Sequence, residues 1–412
     1  MDTLDTVHLP IGPTALSASG LLGPDSEIIA NFTWPGLGRP HFPPPAPSDP
    51  PTVLPSAVRV PGPETDPTAV RRALEGRIAL WDNGDPYRIV PALLADPLAD
   101  GDGWVIPLLA SVEERRLYDV AIRGAHNWVT VAPHAIYYRS VWDTFGIAHI
   151  SDLHVARRID GFAAALARAG HEQANERLLN MNDQFRHVVK YANRLHDEGH
   201  LDLIVATGDL IDYQYERDDN RRGLGNVGFL RDLLLGRSTS NSCPAVEELR
   251  VPILLTPANH DYRKNHYHLV FDVNEVRTDI TRVRNFSNLG ITEKEAAALG
   301  NELYFPGRSQ VPNLGAGRAM AMIEVDHEMR AHREALCDIG PHVVELGPHR
   351  IVLIDSAHDV GIPSGTAGGA WELLKQWWGN GDEDTTTLIG GSPNCEGVSD
   401  EAYAVAVAAL ES

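Results

Sequence analysis

Three short stretches of sequence decide the fold: 145-FGIAHISDLHVA-156, 201-LDLIVATGDL-210 and 251-VPILLTPANHD-261. Each contains a short apolar run that predicts a buried strand. Each run passes directly into polar residues: Asp-Leu-His at 152–154, Gly-Asp at 208–209 and Asn-His-Asp at 259–261. Because α/β folds bind ligands at the carboxyl ends of parallel strands, we expect these polar residues to meet at one edge of a sheet.

The polar residues at the strand ends are of the types that bind divalent metals. Asp152, His154, Asp209 and Asn259 offer carboxylate, imidazole and amide groups, a mixture that suits Mn, Fe or Zn. Asp152 and His154 are two positions apart, so at the end of an extended strand they can point the same way and hold one ion. Asp209 has two oxygens and could bridge two ions, while Asn259 could complete the second without adding charge.

The order D-x-H, G-D and N-H-D, each after a strand, resembles the calcineurin-like metallophosphoesterase family. This family includes purple acid phosphatases and cyclic-nucleotide phosphodiesterases, and the resemblance covers residues 144–412. Each motif alone has an ordinary alternative, such as a helix cap at Asp152 or a turn residue at Asp209. The three motifs in register favour the family.

The resemblance implies metal-dependent hydrolysis of a phosphomonoester or phosphodiester by a bridging hydroxide, with two divalent ions (Mn, Fe or Zn). By residue, Asp152 and His154 match ligands of the first ion, Asp209 matches the bridging carboxylate, and Asn259 matches a ligand of the second ion. A small phosphorylated molecule is the expected substrate.

Two catalytic residues also follow from the resemblance. His260 matches the histidine that contacts the phosphoryl oxygen or protonates the leaving group. Asp261 matches the group that orients it, since a catalytic imidazole needs its second nitrogen fixed.

The sequence departs from the family pattern in two places. Ala258 stands where the family usually has glycine, which is a mild cost in a tight turn. The family also continues past a strand like Leu353–Ser356 to a further histidine and a G-H-x-H motif, whereas no histidine follows His358 here. We therefore expect the last two metal-binding motifs to be missing, leaving one ion or weak occupancy and doubtful activity in the 412-residue chain. The alternative function is a non-catalytic binding or assembly module with an incomplete metal centre.

The predicted fold class is α/β, with metallophosphoesterase-type layered β-sheets flanked by helices. We expect a proline-rich N-terminal arm at 1–75, a small β domain at 76–143, and the phosphoesterase domain at 144–412, with an insertion or cap at 262–341. The proline-dense part of the arm fits either an extended segment packed across the body or a free tether. The β domain shows no ionisable cluster, which favours a scaffold or an oligomer contact.

The remaining elements of the phosphoesterase domain follow from hydrophobic periodicity. One long helical stretch is predicted from Gly161 to His196, because its apolar residues recur with a period near 3.6. The segment 342–357 predicts two strands joined by a Gly-Pro turn at 347–348. A final helix is expected at Asp400–Leu410.

The composition of the sequence indicates which binding partners and which cellular location to expect. The 412 residues carry 35 basic and 56 acidic side chains, a formal charge of −21 that disfavours nucleic acid and anionic membranes. The sequence has no long apolar run, no secretory leader pattern at its start and only three scattered cysteines. We therefore expect a cytoplasmic protein with no membrane contact, and oligomer formation is possible through the β domain.

Overall fold

The computed structural model describes residues 37–43, 52–53, 58–60, 67–82, 88–100, 103–106, 108–123, 128–168, 170–171, 180–211, 225–240, 243–258, 261, 332, 336–337, 341–354, 358–359, 396–398 and 400–411. Within these residues the protein is a mixed α/β structure with several sheets and helices, as the sequence predicted. The predicted insertion at 262–341 lies almost entirely outside the described residues. The domain boundaries after residues 75 and 143 stay predictions.

The N-terminal β region comprises the strands between residues 52 and 138. Its elements are β1 (Thr52–Val53), β2 (Val58–Val60), α1 (Pro67–Leu74), β3 (Ile78–Asp82), β4 (Arg88–Pro91), β5 (Leu93–Leu94), β6 (Leu98–Asp100), β7 (Gly103–Ile106), β8 (Leu108–Ser111), β9 (Arg116–Arg123) and β10 (Trp128–Tyr138). The largest sheet is antiparallel with the order β10-β9-β3-β4, and the smaller sheets have the orders β1-β8-β5 and β2-β7-β6. Leu80, Val120 and Ile136 are fully buried in its core. The β structure expected at 76–143 is present as strands β3 to β10.

The parallel sheet carries the three motifs found in the sequence. Its strands are β11 (Ile147–Ser151), β12 (Leu203–Thr207) and β13 (Ile253–Thr256), in that spatial order. Parallel neighbours require crossover connections, and these contain α2 (Arg157–Arg168) and α3 (Met181–Asp197) before β12, and α4 (Gly225–Leu234) before β13. Apolar side chains of α3, α4, β12 and β13 form one buried cluster, which includes Phe185, Phe229, Ile204 and Leu255.

The prediction of one continuous helix from Gly161 to His196 is wrong, because among the described residues α2 ends at Arg168, residues 170–171 are not helical, and α3 begins at Met181. Asn180 caps the second helix, its side chain accepting hydrogen bonds from the backbone N–H groups of Asn182 (3.0 Å) and Asp183 (3.3 Å). Such a cap satisfies amides that a new helix start leaves free, so it favours a separate helix from Met181 onward. The periodicity from residue 185 onward belongs to α3 alone.

The described part of the proline-rich arm, residues 37–43, packs across the body. Leu255 of β13 donates its N–H to the carbonyl of Gly38 (2.9 Å), while His41 pairs with β10 through its N–H to Ala135 (2.8 Å) and its carbonyl to Tyr137 (3.0 Å). Gly38 has φ +95°, and a Cβ there would lie 2.8 Å from the sulfur of Cys337, so this position requires glycine. The packed arm, one of the two alternatives, is thus correct for this segment.

The C-terminal elements are β14 (His342–Leu346), β15 (His349–Leu353), β16 (His358–Asp359), β17 (Glu396–Gly397) and α5 (Asp400–Glu411). Strands β14 and β15 form the predicted antiparallel hairpin around residues 347–348. Its Leu346 and Leu353 pack in a buried cluster with Trp142, Leu203 and Leu254, so the hairpin shares a core with the parallel sheet. Among the described helices, none combines the length and the apolar character that crossing a membrane requires.

Asp202 joins the N-terminal β region to the start of the parallel sheet. Its side chain is 4% exposed and lies in ion pairs with Arg115 (2.6 Å between Nη1 and Oδ1) and with Arg139. The backbone N–H of Gly146 donates to Asp202 Oδ2 (2.9 Å). Arg115 also donates to the carbonyl of His196 (2.8 Å), a residue whose pKa is lowered by burial. The Asp202 carboxylate thus binds two arginine side chains and the backbone of the residue that precedes β11.

We expect Asp202→Asn to lower the free energy of unfolding by about 2–3 kcal/mol, because it leaves two partly buried guanidinium groups without their counterion. Asp197→Asn is the control, since Asp197 is 54% exposed and pairs with Arg250, which is 36% exposed. That pair should contribute less than about 1 kcal/mol. Urea unfolding of both variants measures the difference, and equal losses would contradict the role given to Asp202.

Candidate metal centre

The ends of the three parallel strands lie at one level. Ser151 is paired with Thr207, and Thr207 with Thr256, so the loops that follow leave the sheet together. Backbone hydrogen bonds continue beyond the strands, from Asp152 N–H to the Gly208 carbonyl (3.2 Å) and from His154 N–H to the Asp209 carbonyl (2.9 Å). The first two motif loops therefore run side by side as an extension of the sheet.

Three of the four predicted metal ligands come together at this edge. One ligand atom from each of Asp152, His154 and Asp209 lies within 4.8 Å of the other two. His154 Nε2 is 3.7 Å from Asp209 Oδ2, and these side chains are 33% and 18% exposed. A carboxylate–imidazole–carboxylate set that is open to solvent on one side fits a divalent ion with room for substrate. The fourth predicted ligand, Asn259, lies outside the described residues, as does His260.

The three converging residues share an unfavourable backbone conformation. Their φ angles are +54° at Asp152, +46° at His154 and +49° at Asp209, all in the left-handed region. A side chain costs about 1–2 kcal/mol there. Strain of this kind persists only where surrounding contacts impose it, and it concentrates at functional sites.

Two small residues allow the loops to approach each other. Gly208 has φ +68°, and a Cβ on it would lie 3.0 Å from the Cβ of Ala258 in the third motif loop. Ala258 itself is not among the residues with positive φ, so its own Cβ is tolerated although the family usually has glycine there. The departure at Ala258 therefore leaves the loop geometry intact, provided that Gly208 stays glycine.

Asp261 ties the third motif loop to the second. It is 1% exposed and accepts hydrogen bonds from the backbone N–H groups of Ile211 (2.9 Å) and Ala258 (2.7 Å). Burial raises the pKa of Asp261 to about 8, against the lowering effect of these N–H groups, and the charge of Asp209 adds to the rise. Its described contacts are with backbone, which makes it a loop-positioning group. The orientation of His260 by Asp261 stays a prediction.

Sequence reasoning missed a second cluster, in which Asp119 and His134 of the β region meet Glu248, just before β13. The ring atom Nε2 of His134 lies 2.9 Å from Glu248 Oε1. The backbone N–H of His134 donates to Asp119 Oδ1 (2.7 Å). Two members of this cluster lie inside the predicted β domain and the third lies outside it, and the three positions are too far apart in sequence to signal a cluster. Arg237 interacts electrostatically with both carboxylates, and the cluster joins the β region to the segment just before β13.

Fold and site together define a class: an α/β protein whose parallel strand ends present carboxylate and imidazole groups that could hold a metal ion. Residues 145–317 match the family model described as calcineurin-like phosphoesterase. The resemblance predicted from the three motifs is thereby confirmed over residues 145–317, which are similar to calcineurin-like phosphoesterases. The match supports phosphoester hydrolysis and metal binding in general terms.

Other comparisons add little detail. No curated protein matches the chain. Among solved structures, a purple acid phosphatase, PPD1, from yellow lupin (Lupinus luteus) seeds has 10% identity and a TM-score of 0.23, covering 75% of this chain and 44% of that one. The structure of PhoD has 11% identity and a TM-score of 0.23, covering 83% of this chain and 58% of that one. The chain thus spans about half the length of these two proteins, and at this level of similarity neither supports a finer assignment.

The left-handed backbone at His154 predicts an unusual order of stability for two variants. In the presence of a chelator, His154→Gly should be more stable than His154→Ala by about 0.5–1 kcal/mol, because glycine relieves the strain at φ +46°. The control is His149 in the extended strand β11, where His149→Ala should instead be more stable than His149→Gly. Urea unfolding decides, and the same order at both positions would contradict strain at His154.

Proposed function

We propose that this protein is a metal-dependent phosphoesterase that hydrolyses a small phosphomonoester or phosphodiester. The observation that carries the proposal is the convergence of Asp152, His154 and Asp209 at the carboxyl edge of the parallel sheet, inside the segment that matches the family. All three residues have left-handed backbone conformations, and strain of this kind is concentrated at functional sites.

Within this proposal each residue has a stated role. Asp152 and His154 would hold one divalent ion, Asp209 would be shared between two, and Asn259 would contribute to the second; Mn, Fe and Zn suit the donors. Bound there, a pair of ions would lower the pKa of a shared water so that hydroxide can attack phosphorus. Of these four residues, only Asp209 and Asn259 would contact the second ion.

The remaining roles concern the reacting phosphate. His260 would donate a proton to the leaving oxygen or a hydrogen bond to a phosphoryl oxygen, and Asp261 would hold its loop against β12 and β13. The charge of −21 favours a small substrate over a long polyanion, because positive charge is supplied only locally at the site. The cytoplasmic location and an oligomer contact through the β region also belong to this proposal.

Asp209→Ala should lose bound metal together with hydrolysis, because it removes the ligand that both ions would share. Elemental analysis after dialysis against Mn²⁺ or Zn²⁺ measures the metal, and turnover of an aryl phosphate monoester and an aryl phosphodiester measures activity. Asp197→Ala, an exposed acid remote from the site, should change neither. Metal uptake without any phosphoester turnover by the unaltered protein would favour the non-catalytic binding module instead.

His260→Ala should keep its metal content while turnover falls by about 10²–10⁴-fold, the usual effect of losing a positioned acid or base. The two measurements are the same as for the Asp209 variant, so the two substitutions are directly comparable. A variant that loses metal and keeps its rate would show that His260 is a ligand and that its proposed role is wrong.

A further inference from the structure

Two buried asparagines hold the chain just after the first motif. Residues 156 and 157 follow His154 by two and three positions and lead into α2. Asn182, in the first turn of α3, and Asn226, in the first turn of α4, are both fully buried (0% exposed). Each directs a side-chain oxygen at a backbone N–H of this short segment.

Asn182 binds both backbone groups of a single residue. Its Oδ1 accepts the N–H of Ala156 (3.1 Å), and its Nδ2 donates to the carbonyl of Ala156 (2.8 Å). A side-chain amide used in this way supplies the two hydrogen bonds that the backbone of Ala156 would otherwise have to make with a neighbouring strand or with water. Asn226 adds one bond, accepting the N–H of Arg157 (3.0 Å).

The side chain of Asn182 is held by a hydrogen bond to an aspartate that is itself ion-paired. Asn182 Nδ2 also donates to Asp160 Oδ1 (3.1 Å), and Asp160 is paired with Arg186 (2.6 Å between Nη2 and Oδ2). Arg186, whose side chain is 2% exposed, pairs as well with Asp183 (2.6 Å). Asn182 is therefore fixed by a buried network between α2 and α3, and a fixed side chain can fix the backbone that it contacts.

The first motif loop is thus held from two sides. On one side Asp152 and His154 bond to the second motif loop through backbone groups, and on the other Asn182 holds Ala156. The left-handed conformations of Asp152 and His154 are unfavourable on their own, so the loop needs contacts on both sides to keep them.

We propose that Asn182 is a positioning residue for the candidate metal centre: by holding Ala156 it keeps Asp152 and His154 converged on the ion site. The inference rests on the proposed function, since it concerns the affinity of that site. Without Asn182 the loop relaxes toward ordinary backbone angles, the two ligands diverge, and divalent ions bind more weakly. Residues that orient metal ligands usually change affinity by about 10–100-fold when they are removed.

The chain contains a matched control in the same helix. Asn193 is also fully buried (0% exposed) and also binds backbone through both ends of its amide, donating to the Glu248 carbonyl (2.8 Å) and accepting the Arg250 N–H (2.8 Å). These partners precede β13, at the opposite end of the sheet from the motif loops. Asn193→Ala therefore removes a comparable set of hydrogen bonds without touching the metal centre.

The test compares Asn182→Ala, Asn193→Ala and the unaltered protein in the full chain. Both variants should show similarly lowered thermal midpoints in the presence of a chelator. Titration calorimetry with Mn²⁺, and in parallel with Zn²⁺, should give an affinity about 10–100-fold weaker for Asn182→Ala. The affinity of Asn193→Ala should stay within about twofold of the unaltered protein, since no bond to the motif loops changes.

If Asn182→Ala does not fold, Asn182→Ser takes its place, because its uncharged hydroxyl can still make a hydrogen bond at this buried position while the paired bonds to the Ala156 N–H and carbonyl are lost. Equal affinities in the Asn182 and Asn193 variants would overturn the positioning role and leave the proposed function standing. Absence of Mn²⁺ and Zn²⁺ binding by the unaltered protein would instead overturn the proposed metal centre, and the inference with it.

Discussion

The parallel pairing of β11, β12 and β13 is the constraint on which the site depends. Each strand end is level with its neighbour, and the backbone hydrogen bonds continue past the strands into the motif loops. Residues from distant parts of the sequence therefore meet because their strands are in register, and a slip of one residue would turn the adjoining side chains to the other face. The chemistry of the edge is a consequence of that register.

Polar groups that are buried behind the edge keep the loops in place. Asp261 accepts backbone N–H groups from two motif loops, and Asn182 holds the segment after the first. Each of these groups is costly to bury unless its hydrogen bonds are made, so each favours one loop conformation over its alternatives. Under the proposed positioning role, these buried polar groups would hold the candidate ligands in their left-handed conformations.

The sequence predicted the elements whose local hydrophobic pattern matches the structure that they form in the folded protein. Strands β11, β12 and β13 are short apolar runs with polar ends, and such runs can be recognised without a structure. The convergence of three candidate metal ligands followed from their placement at the strand ends. The break between α2 and α3 was missed because a capping side chain, Asn180, interrupts a helical stretch that periodicity alone would continue. The contact of His134 with Glu248 was missed because pairing between distant residues leaves no local pattern.

The arm segment at residues 37–43 has a consequence for how the chain acquires its fold. Gly38 pairs with Leu254, so a segment made early in synthesis must wait for a partner that is made much later. At roughly 5–20 residues per second, that interval is on the order of tens of seconds on the ribosome. During it, the arm has none of its β13 hydrogen bonds, and closing so large a loop is slow. The backbone that pairs with β13 on one side is thus supplied by the first part of the described chain to be synthesised.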